Sequence, residues 1–321
     1  MKDLRIVFMG TPEFAVATMG SMLMNGYNVV GAVTVPDKHA GRGRSLQKSA
    51  VKEFAESSNI PVLQPKNLKD PEFIQNLKNL NPDLFVVVAF RMLPEAVWKL
   101  PSLGTINLHA SLLPYYRGAA PINNAIINGE TKTGVTTFYI DDKIDTGSII
   151  MREEMQIYPF ENAGDLHDRM MITGARLVIR SLESIADETI KPRLQSDFII
   201  PGKEIKPAPK IHPEDCMINW NSKAIKIHNL IRGLAPTPGA RSAFKGKNTI
   251  LSFKIFESIP ELEKHNYTPG TIRSDSKQYI QVACADGFLN ITSLQLEGKK
   301  RMSSGEFLRG FKISDYSIDL R

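Results

Sequence analysis

The sequence predicts an α/β fold, a doubly wound and mostly parallel sheet, followed by a small all-β barrel domain. Three observations carry this expectation. Over the first 155 residues or so, short apolar runs alternate with amphipathic stretches, the pattern of strand followed by helix. Leu84-Phe85-Val86-Val87-Val88-Ala89-Phe90 is apolar without a break, as a strand buried on both faces of a parallel sheet must be. Beyond Lys210 the pattern changes to short strands split by turn residues such as Asp286-Gly287, which suits a small antiparallel barrel.

In order, Leu4 to Met9 reads as the first strand, Glu13 to Asn25 as a helix and Tyr27 to Val35 as the second strand. Ala50 to Ser57 has helical spacing, Ile60 to Leu63 is briefly extended, and Glu72 to Leu80 is a helix ended by Asn81-Pro82. Gly104 to His109 forms a strand broken by Pro114, and Ala119 to Asn128 is helical. Gly134 to Ile140 and Ser148 to Met155 are strands, and Glu161 to Glu188 is a long amphipathic helix. Residues 191–210 carry Pro192, Pro201, Pro207 and Pro209 with little periodicity, which predicts a linker. After it come a helix over Ala224 to Ile231 and strands at Thr249 to Ile255, Gly270 to Arg273, Gln278 to Ala283 and Phe288 to Leu296. The expected domains are therefore 1–190, a linker at 191–210, and 211–321.

A chain of 321 residues is long for one domain and comfortable for two. Its start runs directly into a strand, so no signal peptide is expected, and no apolar run approaches the ~20 residues that span a bilayer. Cys216 and Cys284 are the only cysteines, which supports neither a disulfide framework nor a thiolate metal site. His212, His228 and His265 lack partners at metal-ligand spacing and read as structural. The expectation is a cytoplasmic monomer without a metal. The net charge of +6 is uneven: residues 206–321 hold 18 basic and 11 acidic side chains, against 22 and 23 in residues 1–205. A basic end predicts a polyanion partner, with Lys206, Lys210, Lys299 and Lys300 as candidate contacts.

The most informative stretch is Asn107-Leu108-His109-Ala110-Ser111-Leu112-Leu113-Pro114. Residues two apart on a strand project to one face, so Asn107 and His109 point together. An amide and an imidazole side by side can stabilise one developing oxyanion and move one proton. A satisfied core histidine beside a turn-forming asparagine is the plain alternative. The first turn, Gly10-Thr11-Pro12-Glu13, lacks the later glycines of a dinucleotide fingerprint and opens its helix with an acid, so a nucleotide cofactor is not expected there. Residues 36–48 form an oversized strand-to-helix connection. Through Lys52 this stretch holds five Lys/Arg against one Asp, which suggests a nucleic-acid clamp including Lys38, Arg42, Arg44 and Lys48.

NLHASLLPYYRGAAPI, together with FMGTPEFA, Asp145-Thr146-Gly147 and INW…IHNLIRGLAPTPGA, resembles the folate-dependent formyltransferases along nearly the whole chain. The resemblance implies a Rossmann-like catalytic domain, an OB-like second domain that touches tRNA, and 10-formyltetrahydrofolate as formyl donor. It implies catalysis by Asn107, His109 and Asp145, with no covalent enzyme intermediate. A tetrahydrofolate site would include Ser111, Leu112, Leu113, Pro114, Phe90, Arg91, Met92, Leu93 and Asp141. The SLLP-x-YRG-AAPI form is most similar to members whose acceptor is the amino group of methionine on initiator tRNA, where Arg42 takes the place of a key arginine. The alternatives are a nucleotide-sugar or other small amine as acceptor, and a nucleic-acid-binding module without catalysis.

Overall fold

A computed structural model describes residues 4–40 and 45–320, which divide into two units. The first holds Met1–Gly118, Lys132–Gln156 and His167–Pro207; the second holds Ala119–Thr131, Ile157–Leu166 and Ala208–Arg321. No helix among the described residues is long and apolar enough to cross a membrane.

The order of the α/β part is β1 (Arg5–Gly10), α1 (Glu13–Met24), β2 (Asn28–Val33), β3 (Lys38–Ala40), β4 (Ser45–Gln47), α2 (Ala50–Ser57) and β5 (Val62–Leu63). It continues with α3 (Pro71–Asn79), β6 (Leu84–Val88), α4 (Glu95–Trp98), β7 (Thr105–His109), α5 (Pro121–Ile127), β8 (Lys132–Tyr139), β9 (Ile149–Gln156) and α6 (Ala163–Ala186). Local chemistry sets the helix starts. Ser49 accepts a hydrogen bond from the Lys52 amide ahead of α2, and Asp70 caps the Glu72 amide with Pro71 in the first turn of α3.

One seven-stranded sheet runs β5-β2-β1-β6-β7-β8-β9. Strands through β7 are parallel, whereas β8 and β9 are antiparallel. The direction of winding reverses between β1 and β6, the position where such sheets open a crevice at their carboxyl ends. On one face Val7, Met9, Phe85 and Val87 pack with Phe73, Leu77, Leu93 and Val97 of α3 and α4 and their flanks. On the other face lies α6: a Cβ on Gly174 would sit 2.8 Å from Leu108, and Thr137 shares a 2.7 Å hydroxyl hydrogen bond with Ser181. Leu108 therefore points to α6, and Asn107 and His109 point away from it.

Two stretches differ from the sequence expectation. The 36–48 connection is not a plain loop, because β3 and β4 pair as an antiparallel ladder, Lys38 with Gln47 and Ala40 with Ser45. At its root Lys52, at 2.5 Å, and Gln64, at 2.7 Å, both donate to the Asp37 carboxylate and hold it below its usual range. Arg42 and Arg44 lie outside the described residues. The 191–210 segment is not a free linker either. Arg193 exchanges backbone hydrogen bonds with Ile149, Gln195–Phe198 forms a short 3-10 turn, and the Lys206 carbonyl accepts from the Tyr116 amide. Proline content hid these ties, since each depends on a partner remote in sequence.

The second unit contains α5, α7 (Ala224–Leu234), β10 (Ala240–Lys245), β11 (Ile250–Glu261), β12 (Ile272–Ser274), β13 (Ile280–Ala283) and β14 (Phe288–Leu296). It ends with β15 (Met302–Ser303), α8 (Ser304–Leu308) and β16 (Ser317–Ile318). The strand order is β12-β13-β14-β11-β10-β16, with β15 on β14. Register shifts around Glu257 bend the long β11, as bulges do when a sheet curls toward a barrel. Trp220, Ile231, Phe244, Phe253 and Ile291 form its core, and the Trp220 indole donates to Ser242. Helix α5 belongs to this core: Ile127 packs on it, and Asn123 donates to the Gly233 carbonyl at 2.8 Å.

Candidate active site

His109 ends β7, is buried, and directs its two ring nitrogens at different partners. Nε2 lies 2.8 Å from the Tyr116 carbonyl oxygen. A carbonyl only accepts, so Nε2 carries the proton, and Nδ1 is the nitrogen free to exchange one. Nδ1 lies 3.6 Å from Asp145 Oδ2, close enough for a charge pair and loose enough to turn toward another acceptor. Asn107 stands two residues earlier on the same face, half-buried, and in register with Val87 of β6.

Asp145 reaches His109 by an indirect route. Tyr139, the last residue of β8, pairs with Ile106, so the 140–148 connection leaves at the end of β7 remote from His109. Because β8 is antiparallel to β7, this connection starts at the opposite end of the strand from His109. Several bonds bring it back. The Gly118 amide donates to Asp145 Oδ2 at 2.9 Å, and Asp145 itself adopts a left-handed φ of 54°, which aspartate tolerates better than most residues. Asp141 accepts from the Lys143 amide and the Thr146 hydroxyl, shaping the turn. Gly147 is required by space: a Cβ there would lie 1.7 Å from the Tyr139 carbonyl oxygen.

Of the expected folate residues, Ser111 and Leu113 have no exposure. The Ser111 hydroxyl donates to the Tyr115 carbonyl, and Leu113 packs with Phe138 and Ile149. Pro114 and Leu93 are buried as well, so these side chains shape the segment rather than line an opening. Leu112 and Phe90 are half-buried and Met92 is exposed. Arg91 donates to the Pro65 and Lys66 carbonyls beside the Phe90 ring, its Nε is buried without a partner, and burial pulls its pKa below the usual value. Lys38, Lys48, Lys210, Lys299 and Lys300 are exposed, and Lys48 pairs with Glu56. Among the described residues no group of three or more His, Cys, Asp or Glu is arranged to hold a metal ion.

Residues 4–182 match the family model described as "Formyl transferase", and residues 210–312 match "Formyl transferase, C-terminal domain". The chain belongs to the formyl transferase family. It is 51% identical over 317 residues to a methionyl-tRNA formyltransferase of Bacteroides thetaiotaomicron, covering 98% of each chain. It is 53% identical over 315 residues to that of Flavobacterium johnsoniae, again covering 98% of each. The fold is also that of an N-formyltransferase from Helicobacter canadensis solved with folinic acid and dTDP-3-aminofucose. There the TM-score is 0.62 at 21% identity, over 93% of this chain and 100% of that one.

In this formyltransferase the Tyr116-Arg117-Gly118 run does work that motif reading did not assign. The Tyr116 carbonyl fixes His109, the Gly118 amide holds Asp145, and Arg117 between them binds Gln195 through Nε and Nη2 at 3.0 and 2.6 Å. Positive φ at Tyr116 (60°) and Gly118 (125°) lets consecutive groups point at different targets. The sequence signals were present only as the YRG motif itself; nothing in the pattern around Gln195 marked it.

Proposed function

We propose that this chain transfers the formyl group of 10-formyltetrahydrofolate to the free amino group of initiator methionyl-tRNA. The observation that carries the chemistry is the His109–Asp145 pair, with Nε2 tied to Tyr116 and Nδ1 open to the site. The acceptor amine attacks the formyl carbon, a carbon–nitrogen bond forms, and the bond to the folate N10 breaks as a proton passes from the amine to N10. In this reading Asn107 and His109 Nδ1 donate hydrogen bonds to the oxygen that becomes negative in between. Asp145 balances the imidazolium charge and, through water, helps carry the proton. Holding two substrates together supplies much of the remaining rate.

Phe90 and Met92, with the backbone around Arg91 and Leu93, provide an apolar and hydrogen-bonding wall suited to a flat heterocycle, and the unpartnered Arg91 Nε fits a site that a polar ring completes. Near-full-length identity to methionyl-tRNA formyltransferases supports the acceptor. So does the charge of the 36–52 stretch, five Lys/Arg against one Asp in the sequence, which a small amine does not need. Arg42→Ala is expected to lower kcat/KM on charged tRNA by about 10- to 100-fold, the worth of one charge-assisted contact. Arg42→Lys should recover only part of this, because the guanidinium fork is lost. Unchanged kinetics for Arg42→Ala would remove this stretch from tRNA recognition.

A further inference from the structure

We propose that Gln195 is a positioning residue for the reaction, the clamp that holds the Asp145 turn against His109. This rests on the assignment of His109 and Asp145 to catalysis. Gln195 is 5% exposed and lies in the 191–210 segment, fifty residues from Asp145. Its Nε2 donates one hydrogen to the Asp145 carbonyl and the other to the Gly147 carbonyl, both at 2.9 Å. Its Oε1 accepts both the Nε and Nη2 hydrogens of Arg117. Two donors and two lone pairs are thus all engaged, which is the full capacity of an amide. The orientation is fixed by chemistry, since a flipped amide would face donors to the guanidinium and oxygen to two carbonyls.

The turn needs such a fastening. It departs from the end of β7 remote from His109, and it holds Asp145 in a left-handed conformation that costs energy for a residue with a side chain. Gly118 restrains only the carboxylate, and its neighbour Arg117 passes the same restraint through Gln195 to the backbone on both sides of Thr146. One amide therefore ties the Asp145 backbone to the segment whose Tyr116 carbonyl holds His109. A buried glutamine with a merely structural role would fill space and satisfy Arg117, and an isosteric carboxylate would keep both of those functions, so turnover would hold. A clamp requires the two N–H donors.

Gln195→Glu separates these roles in the full chain. It keeps the acceptor for Arg117 and places an oxygen against the Asp145 and Gly147 carbonyls. The expected result is a kcat lower by about 10²-fold, the loss that follows a small displacement of a reacting group. KM for both substrates should stay near wild type, while the melting temperature falls by a few degrees because two buried carbonyls lose their donors. Asp145→Ala and His109→Ala run in parallel. Wild-type kcat for Gln195→Glu beside inactive Asp145→Ala overturns the clamp alone, whereas full activity in all three overturns the catalytic assignment beneath it. KM rising for both substrates with kcat near wild type marks Gln195 as structural and also overturns the proposal. If Gln195→Glu does not fold, Arg117→Lys, which keeps the charge and loses the fork, should lower kcat with KM unchanged; wild-type kcat there overturns it.

Discussion

Replacing His109 with alanine should remove nearly all formyl transfer while leaving tRNA affinity close to that of the unaltered chain. In the proposed mechanism His109 supplies the Nδ1 proton, and its Nδ1 lies 3.6 Å from Asp145. The loss should reach at least about 10²- to 10³-fold, the usual effect of removing one donor to a developing oxyanion. Asn107→Ala should lose a similar factor, since its amide shares the face and in the proposed mechanism donates to the same oxygen. Asp145→Ala should lose most of the turnover, and the His109–Asp145 double variant should be far from additive, because residues that act as a unit cannot be removed twice. Steady-state kinetics at saturating folate, with tRNA binding measured separately, decides the matter. Activity within a few-fold of the unaltered enzyme in His109→Ala removes this mechanism.

The second large effect concerns salt. Lys245, Lys247, Lys299 and Lys300 are exposed in or beside turns of the second unit, whereas Arg301 is engaged by Glu257 and Ser293. If four such lysines each neutralise a phosphate, affinity should fall with salt at a slope of about −3 to −4, or about 10²-fold between roughly 50 and 200 mM. Replacing all four with alanine should weaken tRNA binding at low salt and flatten that slope, with KM for the folate unchanged. Equal slopes for both proteins would make this charge a solvated face. Point substitution is the sounder test than cutting the chain at residue 210, because a cut would strip α5 of its partners Gly233 and α7.

Much of the fold was legible in the sequence because it rests on local pattern. The five apolar residues of β6 are fully enclosed, as an unbroken apolar run requires. The period-two placement of Asn107 and His109 survives in β7, with Leu108 turned to α6. Other elements were hidden by strong local signals of the opposite kind. Strand β10 had no assignment from the sequence: it begins directly after Pro236, Pro238 and Gly239 and takes its stability from pairing with β11. The capping box of Ser303 and Glu306 announces α8, yet five residues carry too little periodicity to show as a helix. In the site, His109 and Asp145 stood out through the motifs of the family. Tyr116 and Gln195 did not: one acts through its backbone carbonyl, and the other lies in a proline-rich stretch whose partners only the tertiary fold reveals.

The acceptor is the centre of the functional account, and one transfer experiment addresses it. Formyl-labelled 10-formyltetrahydrofolate is incubated with the purified chain and either initiator methionyl-tRNA or a nucleotide-sugar amine, and each acceptor is assayed for label. Label is expected on the methionine amino group, with kcat/KM for the charged tRNA far above that for the sugar. Equal or greater transfer to the sugar amine, or no transfer to methionyl-tRNA, would contradict it.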